Sequence, residues 1–237
     1  MRLAREGDPG PLWVVARSQT GGRGRQGRGW TSPPGNLYAS LLLIDPAPPA
    51  RAPQLGFVAG VALARAVRGL LGGDPRLLLK WPNDLLHDGA KLSGMLLEGA
   101  TLPDGRFACV IGFGVNCRSH PEGLAYAATD LAAIGSPCGP ADVLEALSGG
   151  MVHWLDRWQA GDGFAAVRDA WMREAMAPGS PLRVVTAGRT LEGRFAGLDG
   201  AGRLRLATDA GENLVEAGDV FLMPIKEETD MSRSTAR

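Results

Sequence analysis

The stretch LWVVARSQTGGRGRQGRGWTSPPGNLYASLLLI occupies residues 12–44 and decides the fold. Its two ends, LWVVAR (12–17) and NLYASLLLI (36–44), are rich in aliphatic and β-branched residues, which predicts two strands. The second is apolar almost throughout, as expected of a strand that is covered on both faces. The segment between them is rich in glycine and arginine. The sequence therefore predicts a sheet whose first two strands are joined by a loop of unusual composition.

Three more apolar segments predict further strands of the same sheet. They are RLLLK (76–80), KLSGMLLE (91–98) and FACVIGFGVN (107–116). The stretches between them, WPND…HDGA and TLPDGR, have the composition of turns. We therefore expect five strands in this part of the chain.

Helical spacing of apolar residues predicts one helix over 55–70, followed by the stop signal Gly72-Gly73. Two further amphipathic segments, at about 141–158 and 163–176, predict helices. These carry Trp154, Trp158 and Trp171, which we expect in the core. Five strands with several helices predict an α/β (α+β) class.

The pattern changes after Ala177-Pro178-Gly179. Short alternating segments joined by Gly, Asp and Asn follow, which predicts a small antiparallel barrel of about 45 residues. The last residues, KEETDMSRSTAR (226–237), are polar, and we expect them to be disordered. The sequence thus predicts domains over 1–178 and 180–225 and a tail over 226–237.

Composition excludes several classes of protein. The 25 Lys and Arg residues balance the 25 Asp and Glu residues, so no overall charge attracts nucleic acid or an acidic membrane. We find no transmembrane segment and no signal peptide, and three cysteines without a CxxC pair fit a reducing cytoplasm. Cys117 and His120 have the spacing of half a metal site, but no further ligands accompany them. We expect a cytoplasmic protein that binds neither membranes nor nucleic acid.

The loop GGRGRQGRGW (21–30) has the composition of an anion-binding site. Glycines allow the backbone to approach a ligand, and arginine side chains are forked donors for carboxylate or phosphate. A solvated turn and an RGG-like nucleic-acid segment are the alternatives. The position between two buried strands argues against the second. We expect the loop to be mobile without a ligand and ordered over one.

Three other motifs lie at strand ends or within strands. Lys80-Trp81-Pro82-Asn83-Asp84 follows a strand, where α/β sheets usually bind ligands. Asn83 is suited to a purine edge, Asp84 to a divalent cation or a hydroxyl, and Lys80 to a phosphate. A plain turn also explains the last four residues of the motif, but it does not explain the lysine.

The second and third motifs are Lys91-Leu92-Ser93-Gly94 and Gly112-Phe113-Gly114-Val115-Asn116. A lysine at a strand start suits a cation directed into a cleft, although a surface lysine has the same pattern. Glycines inside a strand indicate a bulge or a close approach of a ligand. Each motif is weak evidence when taken alone.

Together, in this order and spacing, the four motifs resemble those of the biotin–protein ligase family. The family's stretches are GRGRxGRxW, KWPND, K-[LIV]-x-G and G-x-G-[IV]-N, and this chain has GRGRQGRGW, KWPND, KLSG and GFGVN. The resemblance runs from about residue 12 to residue 135. It implies a mixed-sheet catalytic domain of the biotin/lipoate-ligase type, and the terminal segments are similar to that family's small SH3-like barrel.

The resemblance implies a two-step reaction. Biotin and ATP form biotinyl-AMP and pyrophosphate, and a lysine of a biotin carboxyl carrier domain then displaces AMP. Each pair of like unit charges near 4 Å costs about 4 kcal/mol at an effective dielectric of 20, so cations must be fixed where the two anions meet.

The resemblance also assigns roles to residues of this chain. Arg25 and Lys91 are the expected catalytic residues, and Asp84 is the candidate Mg²⁺ ligand. The expected biotin-binding residues are Gln19, Arg23, Gly24, Arg25, Lys91, Gly94 and Gly112. The expected ATP-binding residues are Arg28, Trp30, Asn83 and Asn116.

Two departures from the family bear on these expectations. Members have a Ser-Thr-Asn-like stretch whose hydroxyls contact the biotin ureido ring, and this stretch lies ahead of the helix that precedes the first strand. Residues 1–7 of this chain, MRLAREG, resemble only the end of that helix. Some members also carry a winged helix-turn-helix, without which operator binding is not expected. The alternatives that remain are a lipoate or octanoate ligase and a non-catalytic relative that binds a vitamin or nucleotide. We also expect an exposed edge strand to pair with a carrier domain or with a second copy of the chain, which would give a homodimer.

Overall fold

The computed structural model describes residues 1–223. The tail predicted over 226–237 lies outside the described residues. The chain divides into two compact units, one made of residues 1–176 with 200–202 and the other of residues 177–199 with the described residues from 203 onward. Of the helices in residues 1–223, none is both long enough and apolar enough to cross a membrane.

The first unit contains a six-stranded sheet. Its strands are β1 (Leu12–Ala16), β2 (Leu37–Ile44), β3 (Leu77–Lys80), β4 (Asp84–His87), β5 (Ala90–Thr101) and β6 (Phe107–Val115). They lie in the order β1-β2-β6-β5-β4-β3. Five of these strands coincide with the predicted ones. β4 was expected to be part of a turn, because the strand is only four residues long and follows the turn signal Trp81-Pro82-Asn83.

The direction of pairing differs from the expected mixed sheet. Every pair of neighbouring strands in this sheet is antiparallel. Within residues 1–223, parallel pairing is limited to the isolated bridges Leu79–Ala175 and Lys91–Ala128. The mixed sheet was an expectation from the family resemblance, and the apolar strands are buried because helices cover one face and a loop lies over the other. The architecture is therefore of the α+β type.

Four α-helices belong to this unit. They are α1 (Arg2–Arg5), α2 (Leu55–Leu70), α3 (Pro140–Trp158) and α4 (Phe164–Glu174). The last three coincide closely with the predicted helices. Trp154, Trp158 and Trp171 are 6%, 2% and 1% exposed, so the expectation that they belong to the core is confirmed. A Cβ at Gly60 of α2 would lie 3.1 Å from Trp171, which shows how closely these helices approach each other.

The two faces of the sheet have different chemistry because side chains alternate along a strand. Leu79 points toward the helices, where its side chain lies 3.6 Å from the Cβ position of Gly60. The opposite face carries Gly94, Gly112 and Gly114, and the strand register places Gly94 directly opposite Gly114. We call this second face the glycine face. Without side chains at these positions, it has space for a loop or a ligand.

The second unit is a five-stranded antiparallel sheet. Its strands are β7 (Pro181–Val185), β8 (Thr190–Leu198), β9 (Leu204–Thr208), β10 (Gly211–Val215) and β11 (Asp219–Leu222). Their order is β10-β9-β8-β7-β11. The short alternating segments predicted after residue 179 are thus confirmed as strands. No pairing of β10 with β11 closes the sheet within the described residues, so closure into a barrel stays a prediction.

Candidate functional site

The Gly/Arg loop, residues 21–30, is closed by its own backbone. Gly24 N donates to Arg28 O at 2.7 Å, and Trp30 N donates to Gly22 O at 3.0 Å. Its tip, Arg25–Gly27, is a tight turn in which Gln26 has a φ of 57°, in the left-handed region. Glycine-rich sequence lets the chain reverse twice within ten residues. The loop is thus a small, shaped flap that carries arginine side chains.

The base of this loop is fixed by residues on both of its sides. Gln19 N donates to Ser32 O at 3.2 Å, and Ser32 Oγ donates to Gln19 Oε1 at 2.8 Å. A Cβ at Gly22 would overlap the backbone carbonyl oxygen of Trp30, so only glycine fits there. Farther along the loop, Arg23 forms an exposed ion pair of 3.6 Å with Glu98 of β5. The loop therefore lies over the glycine face.

Trp30, the last residue of the loop, packs on the paired glycines of that face. A Cβ at Gly114 would lie 2.6 Å from Trp30 Nε1 and Cε2, and a Cβ at Gly94 would lie 3.1 Å from Cζ3. At Gly112, by contrast, the nearest atom to a Cβ would be Leu96 O at an ordinary 3.6 Å. Glycine is therefore required by Trp30 at position 114 and is tightly constrained at 94, whereas the surrounding protein does not require it at 112.

Lys91 reaches the glycine face because β5 contains an irregularity. Residues three apart in a regular strand point to opposite faces, which would separate Lys91 from Gly94. The register between β4 and β5 shifts at Leu85/Leu86, where Ser93 pairs with Leu85 and Lys91 with Leu86. This bulge directs both residues to one face, and Lys91 Nζ lies 5.4 Å from the centre of the Trp30 ring. The loop and Lys91 therefore share one side of the sheet.

Lys91 also belongs to a cluster of buried charges. Its Nζ lies 2.7 Å from Asp84 Oδ1, and Lys80 Nζ lies 3.0 Å from Asp84 Oδ2. The side chains of Asp84, Lys80 and Lys91 are 10%, 17% and 18% exposed. Burial by itself raises the pKa of Asp84, but the two ammonium groups lower it by more, so the net shift is downward. Asp84 is therefore ionised, and the cluster carries a net charge of +1.

The cluster does not fit the predicted magnesium site. Both oxygens of Asp84 already lie against ammonium groups, and a Mg²⁺ ion there would face the charges of Lys80 and Lys91. Within residues 1–223, no group of three or more His, Cys, Asp or Glu side chains is arranged to hold a metal ion. The sequence missed this because it shows that Asp84 is near a strand end but does not show which charges surround it.

A pocket lies beside the cluster, between the loop and the segment that follows β6. Trp30, Lys91, Asn116, Leu124 and Tyr126 are among the residues that line it. The ring of Tyr126 lies 5.5 Å from Lys91 Nζ. Sequence reasoning missed Leu124 and Tyr126 because the stretch around them has no regular pattern and no recognisable motif.

The segment after β6, residues 117–131, is held in place by buried polar groups. Asn36 Oδ1 accepts from the backbone N–H groups of Cys117, Arg118 and Ser119 at 2.8, 2.9 and 3.2 Å. Farther along, His120 Nδ1 lies 2.6 Å from Asp130 Oδ2. These contacts make this segment, which forms one wall of the pocket, an ordered part of the fold. The role of Asn36 was not predicted, because an Asn after Gly35 has the pattern of an ordinary turn residue.

The two predicted nucleotide-facing asparagines both bind backbone carbonyls. Asn83 Nδ2 donates to Met95 O at 2.6 Å, and Asn116 Nδ2 donates to Thr129 O at 3.0 Å. Asn83 thus fixes the turn between β3 and β4, and Asn116 joins the end of β6 to the pocket wall. Arg28 Nε donates to Arg25 O at 3.2 Å within the loop. The structure therefore brings Trp30, Lys91 and Asn116 together at the pocket, and Gly94 lies against Trp30 and Lys91. The ligand contacts assigned to these residues stay predictions.

Comparison with known proteins gives the same picture for the whole chain. Residues 4–116 match the model of the biotin/lipoate A/B protein ligase family, and residues 179–223 match that of the biotin protein ligase C terminal domain. The chain is 37% identical, over 90% of both chains, to a biotin–[acetyl-CoA-carboxylase] ligase of Paracoccus denitrificans. It is 31% identical to a bifunctional ligase/repressor of Bacillus subtilis, over 93% of this chain and 69% of that protein.

Among solved structures, a biotin protein ligase from Aquifex aeolicus in complex with biotin and ATP is similar to this chain. The TM-score is 0.78 at 27% identity, and the match covers 94% of this chain and 93% of that one. The similarity therefore extends over both compact units.

Proposed function

The chain belongs to the biotin–protein ligase family, and we propose that it activates biotin with ATP and transfers the biotin to a lysine of a biotin carboxyl carrier domain. The observation that supports this most directly is the position of Lys91, which is held by Asp84 beside Trp30 on the face that the Gly/Arg loop covers. We further propose that residues 1–178 form the catalytic domain and residues 180–225 a C-terminal SH3-like domain.

In the first step, a carboxylate oxygen of biotin attacks the α-phosphorus of ATP. A bond forms between that oxygen and the α-phosphorus. The bond from the α-phosphorus to the oxygen that bridges it to the β-phosphorus breaks, and pyrophosphate leaves. Both reactants are anions, so the site must supply positive charge before they meet. Lys91 bridges the biotin carboxylate and the α-phosphate in this proposal, and Arg25 approaches the carboxylate from the loop.

In the second step, the ε-amine of the acceptor lysine attacks the acyl carbon of biotinyl-AMP. A C–N bond forms, the bond from the acyl carbon to the phosphate oxygen breaks, AMP leaves, and the amine loses a proton to solvent. The mixed anhydride must be protected from water until the acceptor arrives. The Gly/Arg loop, which lies over the glycine face, is placed to exclude water from it.

The remaining residues are assigned by their places in the site. Gln19, Arg23, Gly24 and Gly94 join Arg25 and Lys91 around biotin. Gly112 is the proposed floor for its ring, supported by the absence of close protein contacts at its Cβ position. Trp30, Arg28, Asn83 and Asn116 are the proposed nucleotide-facing residues. We keep Mg²⁺ only as a companion of ATP, held by phosphate oxygens and water, since magnesium usually takes few protein ligands.

The proposal extends to partners and location. β1 is an edge strand of the sheet, and its Val14 and Val15 are 44% and 51% exposed. We propose this edge as the surface that pairs with a carrier domain or with a second copy of the chain. A formal net charge of zero argues against binding to nucleic acid. We propose a cytoplasmic location, where the carboxylase partner is expected.

The experiment measures pyrophosphate release from ATP with and without biotin, followed by mass analysis of an added carrier domain. We expect release only with biotin and a mass increase of one biotin on the carrier. Lys91→Met should abolish release, whereas the matched exposed-cation variant Arg189→Met should retain it. Release that requires lipoate or octanoate instead would favour the related ligases, and biotin binding without any release would indicate a non-catalytic relative.

A further inference from the structure

Asp84 is in direct contact with Lys91, a residue that lines the pocket. It is the first residue of β4, is 7% exposed as a whole, and faces Gly94 across the pair β4/β5. Its two oxygens are divided between Lys91 at 2.7 Å and Lys80 at 3.0 Å. With a metal excluded by these two cations, another reason is needed for a buried carboxylate beside a site that binds anions.

A carboxylate in that place opposes the binding of biotin and ATP through its charge. Replacing the whole cluster by one cation would give the same net charge of +1 without the cost of burying three charges. The cluster must therefore supply something that net charge does not. The remaining property is geometry, because an ion pair with a buried partner fixes where an ammonium group lies.

Lysine needs such a constraint more than most side chains. It has four rotatable bonds and about 2 kcal/mol of rotamer entropy, and a catalytic group must be held to within about 0.5 Å. Asp84 is itself anchored by the pairing of β4 with β3 and β5. The rings of Trp30 and Tyr126 lie 5.4 and 5.5 Å from Lys91 Nζ, which leaves the ammonium group bounded on several sides.

We propose that Asp84 is a positioning residue for adenylation, which holds Lys91 Nζ at the point where the biotin carboxylate meets the α-phosphate. Lys80 is the second cation, which offsets the charge of Asp84 so that the cluster still attracts anions. This inference rests on the proposed function and adds to it a residue that acts through Lys91 and not on a metal ion.

The test compares two variants that both lack the Asp84 carboxylate but differ in the net charge of the cluster. Asp84→Asn leaves Lys80 and Lys91 and makes the cluster +2. The double variant Lys80→Met/Asp84→Asn leaves Lys91 alone, at the native net charge of +1. Asp104→Asn, in an exposed turn, is the matched control for the loss of a carboxylate. Steady-state pyrophosphate release gives kcat and the KM values for ATP and biotin, and thermal unfolding confirms that each variant folds.

We expect kcat to fall about 100-fold in both variants, as is typical when one preorganised stabilising group is lost, while both KM values change little. Asp84→Glu should recover part of kcat, because it restores a carboxylate. The Mg²⁺ concentration that gives half the maximal rate should be the same in Asp84→Asn and in the native protein.

Three results would overturn the inference. These are native kcat in the double variant, a tenfold or larger rise in the Mg²⁺ requirement of Asp84→Asn, or failure of both variants to fold, which would make the cluster a folding element. Native protein is measured in the same assay. If the native protein releases no pyrophosphate, the proposed function fails. If the native protein and the double variant both release pyrophosphate with the same kcat, only this inference fails.

Discussion

Trp30 lies so close to Gly114 that no side chain fits between them. A Cβ at position 114 would be 2.6 Å from Nε1 and Cε2 of the indole, far inside van der Waals contact. Gly94, which pairs with Gly114 across the sheet, has the same neighbour at 3.1 Å. The end of the Gly/Arg loop and the two central strands thus form one packed unit, and the placement of the loop depends on two glycines.

Gly114→Ala should therefore displace Trp30. We expect a loss of roughly 1–3 kcal/mol in the free energy of unfolding, as is usual for overpacking, and a KM for ATP that rises about tenfold. Urea unfolding and biotin-dependent pyrophosphate release measure the two effects. The matched control is Gly69→Ala on α2, where a Cβ meets no atom within 4 Å and should not destabilise the protein. Native stability and KM in Gly114→Ala would show that Trp30 does not depend on this contact.

Asn36→Ala should loosen the wall of the pocket. The substitution leaves the backbone N–H groups of residues 117–119 without their shared acceptor, and Asn36 is only 4% exposed. We expect a loss of roughly 2–4 kcal/mol in urea unfolding and faster hydrogen exchange in this segment. Asn213→Ala in the second unit is the control, with a loss below about 1 kcal/mol. Unchanged exchange at residues 117–119 would contradict this role of Asn36.

Asp74 should make the free energy of unfolding depend on pH. Hydrogen bonds from the Arg76 side chain, and then from its backbone N–H and from His87, hold the pKa of Asp74 well below its ordinary value of 3.8. The folded state thus binds this proton less tightly than the unfolded state, so the contribution is present above about pH 4 and is lost as the pH falls further. Asp74→Asn should lower the urea midpoint at pH 7 and have less effect near pH 3.

The exposed variant Asp209→Asn serves as the control for that comparison. It should leave the midpoint unchanged at both pH values. An Asp74→Asn effect that is equally large at pH 3 and pH 7 would mean that packing, and not the carboxylate charge, is what the residue contributes.

Two of the three cysteines should resist alkylation in the folded protein. Burial raises the pKa of Cys109 and Cys117 to about 11, and neither thiol is exposed. Since the thiolate is the reactive form, iodoacetamide at pH 8 should label only Cys138, which is partly exposed. Peptide mass spectrometry reports each site, and all three should react in urea. Rapid labelling of Cys109 or Cys117 in the native protein would indicate that the sheet opens readily.

Local signals in the sequence were enough to predict most of the elements and the motifs. Apolar segments bounded by Gly, Pro and Asp predicted five of the six strands in the first sheet and the helix over 55–70, because each signal lies within the element that it marks. β4 was missed, since four residues after a strong turn signal carry too little pattern. The resemblance of four short motifs to one family was confirmed by relatives that span nearly the whole chain.

How those motifs meet depends on contacts that only the folded chain makes. The register that sets Gly94 opposite Gly114 arises from the pairing of β5 with β6, and the bulge that turns Lys91 to the same face arises from the pairing of β4 with β5. Local composition does not encode them, since a shift of one residue would move every side chain to the other face. The same holds for Asp84. Its sequence neighbours suggested a metal ligand, and only the two ammonium groups around it identified it as a buried counter-ion.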